Sequence, residues 1–193
     1  LAWVVAFIQN TVTKPVLLVG CSMGASMALT VAAHRPELLR GVIALEAPLA
    51  SPGRKSDLLA DARVADSQHN PAYVRAMLGP NCPQTQRDEA CAIYAQGRTG
   101  VYMGDLVYYS NEYDGKRLAP ALRTSGVPIE LLTGSYDYSA SPANTRQLRD
   151  EIDSPMVGIQ EMEGLGHFPM IEDPERFRSF FTGALARVEK VGR

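Results

Sequence analysis

Three side chains of complementary chemistry are spread along the chain: Ser22, Asp137 and His167. A serine hydroxyl attacks a carbonyl only when an adjacent base takes its proton, and an imidazole oriented by a carboxylate is that base near neutral pH. Ser22 is the centre of Gly20-Cys21-Ser22-Met23-Gly24, a G-x-S-x-G string. Alone, such a string is commonly a flexible loop. Here it follows the apolar run Val16–Val19 and opens the Ala-, Met- and Leu-rich stretch Ser26–His34. A strand-to-helix turn of this kind strains the backbone and projects the hydroxyl above a sheet. It also sets the Met23 backbone N–H at a helix N-terminus, where it can donate to a developing oxyanion. Cys21, one residue from the apex, reads as a small buried side chain rather than as a second nucleophile.

His167 lies in Gly164-Leu165-Gly166-His167-Phe168-Pro169, a rigid glycine-rich loop between a strand-like run and the last helix, and is the expected general base. His34 at a helix end and His69 in a polar stretch read as solvent-facing. Asp137 closes Thr133-Gly134-Ser135-Tyr136-Asp137 after an apolar run. A carboxylate at the C-terminal end of a parallel strand faces the crevice where α/β sheets bind ligands. Helix capping is the structural alternative for Asp137. Glu46, just after the run Gly41–Leu45, is the competing acid, and Asp137 is preferred. The chemistry of such a set is two-step acyl transfer, without cofactor or metal. The histidines are far apart, and no Cys/His cluster has zinc-ligand spacing.

These residues need a sheet to position them. Val16–Val19 reads as a strand buried on both faces, and Gly41–Leu45, residues 128–133 and Val157–Met162 as further strands. Helical patterns fall at Leu1–Gln9, Ser26–His34, Ser141–Ile152 and Pro174–Val188. Alternation of this kind implies a parallel sheet with flanking helices. The expected core is 1–48 and 127–193. The interval 49–126 breaks the alternation with helix-like pieces near Lys55–Asp66, Pro71–Leu78, Gln84–Gln96 and Met103–Tyr109, and reads as a helical cap inserted over the sheet edge. Tyr102, Met103, Tyr108, Tyr109 and Tyr113 concentrate apolar and aromatic surface there, as a pocket for a small ester would. Packing of the cap on the core is the equal alternative. Arg98, Arg117 and Arg123 are candidate anchors for a substrate carboxylate.

The chain has 193 residues, 46% of them hydrophobic, and a formal net charge of -2. That size suits one domain with an insertion. The near-balanced charge gives no electrostatic reason to expect nucleic acid as a partner. No apolar run approaches a bilayer span, and nothing at the N-terminus reads as a signal peptide, so a cytoplasmic location is expected, away from membranes. Cys21, Cys82 and Cys91 are too few for a disulfide framework, although Cys82 and Cys91 are spaced closely enough to pair. A homodimer is admissible.

The segments K-P-V-L-L-V-G-C-S-M-G-A, H-R-P-E-L-L-R-G-V-I-A-L-E-A-P, L-L-T-G-S-Y-D and G-L-G-H-F-P-M-I-E-D-P-E-R-F resemble the α/β-hydrolase superfamily over essentially the whole chain. The order Ser22, Asp137, His167 is the order of that superfamily. The Cys before the serine, Y-D-Y-S-A-S-P and D-L-V-Y-Y-S are similar to carboxylesterases that cleave phthalate monoesters. The resemblance implies an esterase acting on a small-molecule ester. The same triad also serves C–C bond hydrolases and cofactor-free peroxidases, and the fold also serves as a non-enzymatic ligand receptor or an inactive remnant. Serine at the apex argues against dehalogenase and epoxide-hydrolase chemistry, which need a carboxylate there. By this resemblance the first strands of the sheet, and the His-Gly loop with the second oxyanion donor, would lie upstream of Leu1. The chain by itself is then expected to be a fragment, poorly folded or weakly active.

Overall fold

The apolar runs become parallel strands. The computed structural model describes residues 1–52, 69–97 and 101–191. The helix expected near 55–66, Arg98 and the side chains of Tyr102 and Met103 lie outside the described residues. Among those residues β1 (Val16–Cys21), β2 (Leu39–Leu45), β3 (Ile129–Gly134) and β4 (Val157–Met162) form one sheet in the order β1-β2-β3-β4, every pair parallel. Side chains alternate across β2. Val42 and Ala44 join one apolar layer, while Ile43 and Leu45 join the other, as the two-residue period of a strand requires.

Helices cover both faces. α1 (Ala2–Phe7) runs on as a wider π-helical turn through Val12, beyond the expected end at Gln9, until Thr13 stops it in the left-handed region at φ 61. α2 (Met23–His34) leaves the turn at Ser22 and is buried along Ala25, Ala28, Leu29, Val31 and Ala32. α3 (His69–Met77), α4 (Gln84–Ala95) and α5 (Val101–Val107) follow, then α6 (Gly115–Thr124), α7 (Pro142–Ile152), the short α8 (Pro169–Glu172) and α9 (Pro174–Val191). α2, α6 and α7 share the layer containing Leu29, Leu122, Ile129, Leu131 and Leu148. α9 covers the opposite face with Ala184 and Val188. A third cluster joins α3 and α4 through Val74, Met77 and Ala90 to Phe168, beside the histidine loop.

One helix departs from the sequence expectation. α6 falls inside 49–126 and was not among the helical pieces expected there, yet Ala119 and Leu122 pack in the layer beneath the sheet. Its signal is Asp114, whose carboxylate accepts from Lys116 N and Arg117 N as an N-cap. As expected with the first strands of the sheet upstream of Leu1, β1 lies at the sheet edge, paired only with β2 among the described residues. Val19 is therefore 43% exposed. The expected N-cap and first-turn proline of α7 are present, with Ser141 Oγ accepting from Asn144 N and Pro142 at the first helical position.

Candidate active site

Ser22 sits between β1 and α2 with φ 56 and ψ -116. A non-glycine residue is rarely held at positive φ, and the cost, ~1–3 kcal/mol, is sustained only where the surroundings impose it. Here the Ser22 N–H donates to Leu45 O at 2.8 Å, tying the turn to β2. The flanking glycines are not equivalent. A Cβ on Gly20 would stand 2.2 Å from Gly24 O, whereas one on Gly24 would meet nothing within 4 Å. Gly20 is the residue that lets strand and helix approach. Met23 is the first residue of α2, so its N–H lacks an intrahelical acceptor.

His167 and Asp137 are each 2% exposed. Asp137 Oδ2 lies 2.7 Å from His167 Nδ1. Asp137 Oδ1 accepts from Ser139 N at 2.7 Å and Ala140 N at 3.1 Å. One oxygen is thus anchored by backbone, and the other orients the imidazole with Nε2 free to act as base. Burial alone would raise the Asp137 carboxyl. Hydrogen bonds from His167, then from Glu46 and Ala140, outweigh it and hold the group below its ordinary range.

Glu46, the competing acid, stands behind Asp137. It is fully buried, has φ 53, and both its oxygens face Gly134 N, at 3.0 and 2.9 Å. Burial first, and then the Asp137 carboxylate, push Glu46 well above the carboxylate range. Both Glu46 oxygens are thus taken up at Gly134 N, while Asp137 Oδ2 faces the imidazole. Burial, reinforced by Glu46, Asp137 and Glu172, also drives the Cys21 thiol far upward. Its Sγ donates to His167 O at 3.6 Å. A thiol kept protonated is no nucleophile. Cys82 and Cys91 are free thiols, so the close spacing is not used for pairing.

Glu172, at the end of α8, was not singled out from the sequence. Its buried carboxylate accepts from Gly166 N at 2.7 Å, Phe168 N at 3.0 Å and Gly79 N at 3.1 Å. It thereby fastens the backbone on both sides of His167 and joins it to the segment after α3. His167 N also donates to Met77 O at 3.3 Å. Contact is close here: a Cβ on Gly166 would stand 2.4 Å from Gly79 N. The sequence cue was a carboxylate five residues after the histidine, which nothing local distinguishes from a helix-end acid.

Ser22, Met23 and His167 line one cavity of about 350 Å³. Its wall is largely apolar and aromatic, with Tyr73, Met77, Tyr94, Leu106, Tyr109, Phe168, Met170 and Ile171, and it carries the carboxylate of Asp105. The rings of Tyr94 and Phe168 meet edge-on at 5.7 Å, and those of His167 and Phe168 at 4.9 Å. Of the aromatic residues expected at the pocket, Tyr109 lines it. Tyr108 instead contacts Thr30 Oγ1 at 3.0 Å. Tyr113 donates to Pro48 O at 2.8 Å and is buried as packing. Arg117 pairs with Asp114, and Arg123 donates to Ile152 O and Glu151 O, both away from the cavity. His34 is exposed, and His69 stacks on Tyr73 at 6.4 Å. Among the described residues no group of His, Cys, Asp and Glu could hold a metal, and no helix is long and apolar enough to cross a membrane.

Comparison with known proteins bears on the whole arrangement. No curated protein sequence matches the chain. Among solved structures, carboxylesterases of Nitrososphaera gargenis superpose with TM-score 0.76 at 17% identity, over 98% of this chain and 71% of that one. The enol-lactonase of Burkholderia xenovorans gives 0.76 at 16% identity, over 95% and 70%. A thermophilic esterase of Thermogutta terrifontis gives 0.72 at 20%, over 95% and 70%. At these identities the likeness establishes the fold. The alpha/beta hydrolase family profile matches residues 1–180, the segment that carries the strained serine turn, the four strands and the histidine loop, and on that match the chain belongs to the alpha/beta hydrolase family.

Proposed function

We propose that this protein is a serine hydrolase that cleaves a small carboxylic ester through an acyl-enzyme. One observation carries the reading: a serine held at positive φ and a histidine bonded to a buried aspartate open onto the same apolar cavity. In this mechanism His167 Nε2 takes the Ser22 proton as Oγ forms a bond to the ester carbonyl carbon. The Met23 N–H donates to the oxyanion at the N-terminus of α2. As the tetrahedral intermediate collapses, the C–O bond to the alcohol breaks and His167 returns the proton to the leaving oxygen. Water then repeats the sequence on the acyl-serine, releasing the acid and restoring Ser22. Asp137 stays ionised throughout and stabilises the imidazolium.

The test is covalent. Ser22→Ala is expected to abolish ester turnover and labelling by a fluorophosphonate, while Cys21→Ser keeps most of both. Labelling that survives in Ser22→Ala would overturn the assignment.

A further inference from the structure

The cavity beside Ser22 carries one feature that acyl transfer does not use. Asp105, on α5, is a carboxylate in an otherwise apolar and aromatic wall. It is half-buried, and no hydrogen bond or ion pair reaches it among the described residues. None of the described residues lining the cavity is a lysine or an arginine. Burial already holds the Asp105 carboxyl above its ordinary range. Tyr94 lines the same cavity as Asp105 and Cys21. A carboxylate without a partner in a low-dielectric wall leaves a field that favours a cation and disfavours an anion. Aromatic side chains around it add cation–π attraction, strongest for weakly hydrated alkylammonium groups.

We infer that Asp105 is the specificity-determining residue of this cavity and that the preferred ester carries an alkylammonium group, held by Asp105 among Tyr73, Tyr94 and Tyr109. The inference rests on the serine-hydrolase reading and adds the substrate class to it. It also runs against an anionic monoester as substrate, since a second carboxylate would face Asp105 with no cation lining the cavity among the described residues.

The experiment uses the 193-residue chain and three p-nitrophenyl methylphosphonates that differ only in the alkoxy arm: 2-(trimethylammonio)ethyl, its neutral isostere 3,3-dimethylbutyl, and 3-carboxypropyl. In each reaction the Ser22 Oγ–P bond forms and the P–O bond to p-nitrophenolate breaks, with the serine proton passing to His167. Second-order rate constants are read from p-nitrophenolate release, divided by each reagent's rate with hydroxide, and the adduct is located by mass spectrometry. The wild-type chain is expected to favour the cationic over the neutral arm by ~10-fold or more, as expected for one desolvated charge pair with aromatic contacts. The carboxylate arm should react slowest. In Asp105→Asn the cationic-to-neutral ratio should fall toward one, and raised salt should lower it in the wild type. A wild-type ratio near or below one overturns the inference even if the variant fails to fold, as does a ratio that Asp105→Asn leaves intact. If the neutral reagent modifies some residue other than Ser22, or none, the serine-hydrolase reading itself falls and takes this inference with it.

Discussion

At the proposed acid position two carboxyl groups lie together, and their surroundings push them apart in proton affinity. Asp137 gathers donors from His167, Ser139 and Ala140, which favour its anion. Glu46 is fully buried, and burial first, then the Asp137 carboxylate, push its carboxyl well above the carboxylate range. Asp137→Asn should therefore cost about 10⁴ in kcat, the loss seen when a triad aspartate is neutralised and the imidazole takes the wrong tautomer. Glu46→Gln keeps an acceptor for Gly134 N, so steady-state kinetics should show less than a tenfold loss. The reverse ranking would move the acid role to Glu46. The same logic gives a stability signature. The native-state value for Glu46 is raised, so its contribution is fully present below the ordinary carboxylate range and is lost as pH rises through the raised value. Denaturant unfolding of the wild type should show a decline with rising pH that Glu46→Gln flattens. The depressed Asp137 works in the opposite sense, its contribution being lost as pH falls through its native value.

At the scale of elements, the serine turn and the histidine loop depend on close backbone approach and on one carboxylate. Gly20→Ala forces a methyl into the carbonyl of Gly24, and overpacking of this kind typically costs ~1–3 kcal/mol. Thermal melts should show that loss, and kcat should fall with it because Ser22 shifts. Gly24→Ala has open space and a helical position, so it should raise stability by ~0.5–1 kcal/mol. Equal effects of the two would remove the steric account of the turn. Glu172→Ala strips acceptors from Gly79, Gly166 and Phe168 N–H groups, and each orphaned buried donor costs ~1–3 kcal/mol. Its expected kinetic mark is a fall in kcat larger than any rise in KM, because His167, the proposed base, is displaced while the cavity wall remains. A pure KM effect would mean that Glu172 shapes only the pocket.

For the whole molecule the open side of the sheet matters most. The chain spans about 70% of the length of the structures it superposes on. β1 presents an unpaired edge among the described residues, with Val19 43% exposed. Nearby in sequence, Trp3 on α1 is 89% exposed and Phe7 61%. An apolar edge strand is a template for pairing with another chain. Residues 1–193 by themselves are expected to self-associate in light scattering at micromolar concentration. Val19→Lys, which puts a charge on that edge, should shift the population toward monomer. A monodisperse wild-type monomer would show that the edge is protected by other means.

The serine turn, the histidine loop and the strand ends were legible because their signals are local. Small residues at fixed offsets, apolar runs and capping residues restrict backbone angles within a few positions, whatever the rest of the chain does. The four strands and the helices starting at Gln84, Pro142 and Pro174 were readable on that ground, and α6 was missed only because its cap at Asp114 was overlooked. Asp137 was already preferred to Glu46 from the sequence, but how the two sit relative to His167 follows only from the sheet. Each residue follows a buried strand, and only the register of β2 beside β3 puts Glu46 against Gly134 N while His167 meets Asp137. The exposure of Val19 follows from strand order, since the apolar run is the same at an edge or in the middle. Asp105 and Glu172 were silent in sequence for a related reason. A carboxylate becomes distinctive through what surrounds it, and their surroundings come from other segments: Tyr73 and Tyr94 lining one cavity with Asp105, and Gly79 N reaching Glu172.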